Sequence, residues 1–208
     1  MAYFPAFVEI ENRPVLIVGG GKAALRKIEI LLEFGAEITV ISPVFIEEIQ
    51  KIASENVKRY ERGFRISDVE GMHMVIVATE SRDVNHVIAN ACKERKILVN
   101  AVDQIEDCTF IFPSCLKQGE LVAAFSSSGK SPVVTQYLKE QNQAIVTKEL
   151  GELAELLGSL REKAKEAIPD EKLRKEFYQE ILRTGLEEGR IPEAEEAETI
   201  LQKISQVV

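Results

Sequence analysis

Gly19, Gly21 and Ala24 are spaced as G-x-G-x-x-A within Val15-Leu16-Ile17-Val18-Gly19-Gly20-Gly21-Lys22-Ala23-Ala24. An apolar, β-rich run leads in and a helical pattern leads out. This arrangement suits a dinucleotide pyrophosphate. The first glycine permits a tight turn, the second admits backbone to the phosphates, and the small third residue lets helix and strand pack closely. The helix start at Lys22 and Ala23 offers unpaired N–H groups and a partial positive charge. A ligand-free glycine turn between strand and helix is the plainer reading of the same residues.

Other candidates follow the same logic. An Asp or Glu usually comes about 20 residues after such a turn and binds the adenosine ribose. Here the second strand ends Ile41-Ser42-Pro43 with no carboxylate. That leaves Ser42, or the backbone at Pro43 and Val44, to contact the ribose. No Arg adjoins this point, which favours NAD over NADP. Thr79 ends an apolar run and can either hydrogen-bond a cofactor or cap the next helix. Asp103 follows a strand and Asn100, at the sheet edge where the nicotinamide end should lie. A carboxylate there can accept a proton, and a turn Asp is the alternative. Asn100 can position the nicotinamide, position the Asp103 loop, or serve only in a turn.

Ser126-Ser127-Ser128 precedes Gly129-Lys130 and offers backbone and hydroxyl donors for a carboxylate. Lys130, Lys117 and Arg26 are candidate basic walls, each otherwise a solvated surface charge. Glu106 and Asp107 read as solvated loop charges. His73, His86, Cys108 and Cys115 lack the spacing of a pre-formed metal site.

The elements that must hold these residues alternate in type. Strands are expected at residues 15–18, 38–41, 57–60, 74–78 and 97–99. Helices are expected at 22–34, 45–53 and 83–95. Continuous apolar strands separated by helices indicate a parallel sheet covered on both faces. Further strands are expected at 109–112 and 121–125, with Gly119 near the turn between them, and a helix from about Ser131. After Lys148 the chain is Leu-, Glu- and Lys-rich. It reads as about three amphipathic helices broken by Pro169, Gly185, Gly189 and Pro192.

Composition narrows the function classes. The 208 residues carry a net charge of −8, which argues against broad nucleic-acid binding. From residue 148 onward 15 acidic residues face 10 basic ones. No apolar run is long enough to span a bilayer. The start, with Glu9 and Glu11 soon after Met1, does not read as a signal peptide. Three cysteines without CxxC spacing argue against a disulfide framework, and a reducing cytoplasm is the expected setting.

Four stretches together resemble the siroheme synthase N-terminal module family, also known as precorrin-2 dehydrogenase and, in bifunctional members, sirohydrochlorin ferrochelatase. They are Tyr3-Phe4-Pro5-Ala6-Phe7; residues 18–27 around the glycine turn; Val99-Asn100-Ala101-Val102-Asp103 running on to Phe110-Ile111-Phe112-Pro113-Ser114; and Ser126-Ser127-Ser128-Gly129-Lys130-Ser131-Pro132. With their spacing they cover most of residues 1–145. The helical tail is similar in length and character only.

The resemblance implies an α/β fold in three parts: an NAD-binding Rossmann domain at 1–112, a small α+β dimerisation segment at 113–147 and a helical C-terminal domain at 148–208. It implies a homodimer whose tetrapyrrole site lies in the cleft between these parts. The implied reaction is NAD-dependent oxidation of precorrin-2 to sirohydrochlorin, with Asp103 as the key acid. Some relatives are also lyases that insert Fe²⁺, and the same Asp occurs in both kinds. The middle serine that is phosphorylated in one branch corresponds to Ser127. Some members continue into a methyltransferase domain, an activity not expected of this chain. An NAD-binding regulatory module without catalysis is the competing class. That reading would call for an acidic end to the second strand.

Overall fold

Val15–Val18 is too apolar to tolerate water on either side, and this dictates a central position. The computed structural model describes residues 3–206. In it β1 (Pro14–Val18) lies mid-sheet, with β2 (Glu37–Ser42) on one side and β4 (Met74–Val77) on the other. β3 (Val57–Glu61) and β5 (Leu98–Ala101) form the edges, giving the order β3-β2-β1-β4-β5. All four pairings are parallel. Alternate residues feed two cores. Val15, Ile17, Ile38, Val40 and Ile76 pack with Ala24, Ile28 and Leu31 of α1 (Lys22–Glu33). Leu16, Val18, Val75, Val77 and Val99 pack with Ile88, Ala89 and Cys92 of α3 (Arg82–Glu94). Strand order reverses at β1 and β4, so the crevice beyond their carboxyl ends is the expected ligand position in such a sheet.

Two elements depart from the sequence expectation. Residues 45–53 were expected as one helix, but α2 spans only Glu47–Gln50. Ile46 N–H is held by the Gly20 carbonyl (2.9 Å). The Arg59 guanidinium takes the carbonyls of Ile49 and Ile52 (3.1 and 2.9 Å), closing the helix early. Residues 109–112 do not form a strand. Thr109 is anchored to Val99 through backbone and hydroxyl (both 2.8 Å), and the chain then leaves the sheet. The strand forms later, as β6 (Ser114–Gln118), antiparallel to β7 (Leu121–Phe125). Gly119 supplies the turn with φ +56°.

The chain divides into two compact units, meeting between Phe112 and Pro113. The second holds the β6–β7 hairpin, α4 (Pro132–Asn142), α5 (Lys148–Ser159), α6 (Arg161–Ala167), α7 (Glu171–Glu188) and α8 (Ala194–Ser205). Four helices therefore follow residue 148, where about three were expected. Phe177, Ile181 and Leu201 anchor their core with Ala164, Ile168 and Ala197. Asp170 starts α7 by accepting N–H bonds from Lys172 and Leu173 (2.9 Å each). Gly189 ends it in the left-handed conformation. Gly185 does not break a helix. It is buried within α7, where a side chain would strike Leu153 of α5.

Gly151 of α5 shows how closely this unit is packed, because a Cβ there would run into the Gln118 carbonyl of β6. Gly151→Ala is expected to destabilise the unit by about 1–3 kcal/mol, the usual cost of overpacking. Urea unfolding followed by circular dichroism reads this directly. An unshifted midpoint would show that helix and hairpin can separate at no cost. Among the described residues no helix is long and apolar enough to cross a membrane.

Candidate functional site

The glycine turn builds a cradle that side chains would fill. Gly19 has φ +132°, and its N–H is bonded to Ile41 O (2.9 Å). A Cβ there would collide with the Ala78 carbonyl. At Gly20 a Cβ would collide with the Val44 carbonyl and come within 2.7 Å of Ser42 Oγ. Gly21 is different. It is the N-cap of α1 in extended backbone, and a Cβ there would meet only open space. No side chain caps α1, and its first turn holds no acid. The N–H groups of Lys22 and Ala23 and the positive helix end are thus left for a ligand. Ala24 is fully buried against the sheet. Bare backbone, an uncapped helix and the sheet's switch point together fit a dinucleotide pyrophosphate.

Ser42, Pro43, Val44, Thr79 and Asn100 fall at the same end of the sheet, with differing freedom. Ser42 is buried and its hydroxyl donates to Val44 O (2.7 Å), so it folds back on its own turn. Pro43 and Val44 are exposed beside it. The Thr79 hydroxyl donates to Asn85 Oδ1 (2.5 Å), while Ser81 does the capping of α3 by accepting from Val84 N–H. Asn100 is buried, and its amide donates to Phe110 O (3.1 Å) and Cys108 Sγ (3.5 Å). This ties β5 to the segment that follows.

Asp103 is exposed, in the turn just past β5, with φ +60°. Its neighbours fix that turn. Val102 N–H bonds to Val77 O (2.9 Å), and Gln104 N–H to Ala101 O (3.3 Å). The Gln104 side chain is buried. Its Oε1 accepts from Asn85 (2.7 Å), and its amide donates to Asp107 (3.3 Å). Asp107 corrects the sequence expectation, because it is a buried group and not a solvated loop charge. His86 Nδ1 meets its Oδ1 at 2.8 Å, and Lys93 Nζ lies at 3.4 Å. A buried carboxylate needs such partners. The chain of bonds from Thr79 through Asn85, Gln104 and Asp107 therefore braces the turn that presents Asp103.

The serine run lies in the second unit, between β7 and α4. Ser127 Oγ accepts from Ser131 N–H (2.9 Å) and donates to Ser131 O (3.1 Å). Ser126 Oγ accepts from Ser128 N–H (3.1 Å), and Ser128 has φ +54°. Lys130 is exposed at the tip. Arg26 is exposed on α1, and Lys117 is half-buried in β6. Among the described residues no three His, Cys, Asp or Glu side chains cluster as a metal site. Burial pushes the Cys92 thiol up to about 11, and burial likewise raises Cys108. Both are packing groups rather than nucleophiles.

Sequence reading passed over two charged features at the carboxyl end. Glu61 stands in register with Ser42 across β2 and β3, and Arg62 donates its backbone N–H to Ser42 O (3.0 Å). Only strand pairing brings them there, since each lies about 20 residues further along the chain.

The family whose description is "Putative NAD(P)-binding" matches residues 6–114, and the "Sirohaem synthase dimerisation region" matches residues 149–204. The siroheme synthase of Thioalkalivibrio sulfidiphilus is 38% identical over 183 residues, 88% of this chain and 37% of that protein. The siroheme synthase of Photobacterium profundum is 34% identical, covering 87% of this chain and 39% of that protein. The chain thus spans about two fifths of the length of these relatives. A solved structure, SirC, a precorrin-2 dehydrogenase, superposes with a TM-score of 0.77 at 24% identity, over 98% of this chain and all of that one. That likeness speaks for the fold. Two matched regions in this order, on a sheet with an open glycine cradle, place the chain in the siroheme synthase N-terminal module family.

Proposed function

We propose that the protein oxidises precorrin-2 to sirohydrochlorin with NAD⁺. The observation that carries this reading is an exposed carboxylate, Asp103, braced at the carboxyl end of the same sheet whose glycine cradle suits a pyrophosphate. NAD⁺ supplies the hydride acceptor. Gly19, Gly20 and Gly21 leave room for the phosphates, and the N–H groups at Lys22 and Ala23 bind them. Pro43 and Val44 border the adenosine end, and Thr79 and Asn100 shape the wall towards Asp103. Asp103 takes the proton that the macrocycle loses with the hydride. Ser126, Ser127, Ser128 and Lys130 are assigned to substrate carboxylates, with Arg26 and Lys117 as supporting cations. A phosphate on Ser127 would repel so anionic a substrate.

The same carboxylate suits Fe²⁺ insertion, in which pyrrole protons must leave as the metal enters. Sirohydrochlorin and Fe²⁺ are then the substrates of a second, lyase step. We assign the working form to a homodimer. Besides the matched dimerisation region at 149–204, α4 supports this. Val133 is 78% exposed, and Val134 and Tyr137 are more than half exposed on the same short helix. Exposed apolar surface of this kind marks association sites. This extends the expected interface at 113–147 to both parts of the second unit.

The test is anaerobic incubation with precorrin-2 and NAD⁺, following NADH and sirohydrochlorin absorbance, then Fe²⁺. NADH formation in step with sirohydrochlorin is expected. Protein that binds NAD⁺ yet yields no NADH would leave only the regulatory-module reading.

A further inference from the structure

At the adenosine end the ribose-binding acid is missing from β2, so something else must set the choice between NAD and NADP. In sheets of this kind a nearby guanidinium accepts the 2′-phosphate. Arg62 is in the right place, its backbone bonded to the last residue of β2. Its guanidinium is not available. It forms a two-pronged pair with Asp68, with Nη1 to Oδ2 at 2.8 Å and Nη2 to Oδ1 at 2.7 Å. The Arg62 side chain is 31% exposed and the Asp68 side chain only 10%.

Resting on the reading of the glycine crevice as a dinucleotide site, we infer that the Arg62–Asp68 pair is the specificity determinant that excludes NADP by withholding a guanidinium positioned beside the end of β2.

The geometry explains why Arg62 does not simply swing across. Asp68 also accepts the Arg65 N–H (2.7 Å) in the short turn after β3. The carboxylate is therefore fixed in place. Releasing Arg62 would leave it largely buried and without its counter-charge, which is strongly unfavourable. The Arg62 hydrogen bond holds the Asp68 carboxyl below its ordinary range, so the pair stays ionised at neutral pH. Two other charges at this end do not fill the gap. Arg59 is spent on the carbonyls that close α2. Glu61, exposed and in register with Ser42, adds negative charge that disfavours a phosphate. Tyr60 lies under the Arg62 guanidinium at 5.6 Å and helps hold it.

The experiment compares NAD⁺ and NADP⁺ affinities by calorimetry, so it reads binding and not turnover. Asp68→Asn keeps the size of the side chain and an acceptor for Arg65 but removes the charge. It is expected to tighten NADP⁺ by about 10–100-fold, the worth of one freed charge-assisted contact to phosphate, with NAD⁺ little changed. Adding Arg62→Ala should cancel that gain. Should Asp68→Asn lower the melting temperature, Asp68→Ser gives the same reading, since its hydroxyl can also accept the Arg65 N–H. An unchanged NADP⁺-to-NAD⁺ ratio in the folded variant overturns the inference, and so does a gain that survives loss of Arg62. Failure of the unaltered protein to bind NAD⁺ at all would strike the dinucleotide reading itself.

Discussion

Asp103→Asn is expected to lower precorrin-2 oxidation by about 10²–10⁴-fold, the usual worth of a positioned general base, while NAD⁺ affinity stays essentially unchanged. Asparagine is the informative replacement because residue 103 has φ +60°. Asn and Asp tolerate that left-handed conformation, whereas most residues do not. Asp103→Ala would mix lost chemistry with a strained turn. The Asn variant keeps the turn, the bond from Val102 N–H to Val77 O and the Gln104 bracing, and removes only the ability to hold the proton. Single-turnover NADH formation under anaerobic conditions reads the effect. Near-normal rates would show that another group, or water, takes the proton. An equal fall in Fe²⁺ insertion would assign both steps to one carboxylate, and an unchanged insertion rate would separate them.

Gly21→Asp is the second large effect, and the cradle's geometry gives it an unusual signature. Substitution at Gly19 or Gly20 would damage the turn itself, because each added Cβ runs into backbone carbonyl. At Gly21 nothing lies within reach of a Cβ and φ is −98°. Aspartate there occupies an N-cap position, where it is preferred over glycine by about a few tenths of a kcal/mol. The unliganded fold should therefore melt at the same temperature or slightly higher. Its carboxylate also takes the N–H groups that a pyrophosphate needs and places like charge beside it. NAD⁺ affinity should fall by about 10²-fold or more, since such juxtaposition costs several kcal/mol. Calorimetric titration and thermal melting, run together, test both halves. Retained NAD⁺ affinity would mean that the phosphates lie elsewhere.

The parts of the fold legible in sequence were those governed by local pattern. Val15–Val18 and Met74–Val77 read as buried strands because both faces must be dry. The glycine spacing marked the turn because backbone geometry allows little else. What escaped depended on distant neighbours. The helix expected over 45–53 is cut short by Arg59, a residue of the next strand. Thr109 looked like part of a strand because its β-branched shape suits one, yet its hydroxyl bonds to Val99 and turns the chain away. Gly185 read as a helix breaker on propensity alone, whereas packing against Leu153 decides its role. Asp107 looked solvated because its partners, His86 and Lys93, come from a helix earlier in the chain. Of the candidate site, the cradle and Asp103 were visible. The Arg62–Asp68 pair was not, because it reaches Ser42 only through the pairing of β2 with β3.

The central place of β1 bears on how the polypeptide matures during synthesis. Its two hydrogen-bonding partners are β2, which follows closely, and β4, which emerges some 60 residues later. One wall of the glycine cradle is the Ala78 carbonyl, just past β4. A nascent chain that has cleared the ribosome only to the middle of this sheet therefore displays an unsatisfied apolar edge and half a pocket. Parallel pairing over such separations is slow and exposed to aggregation. Holdase chaperones, if they attend this protein at birth, should engage it while β1 still awaits its later neighbour.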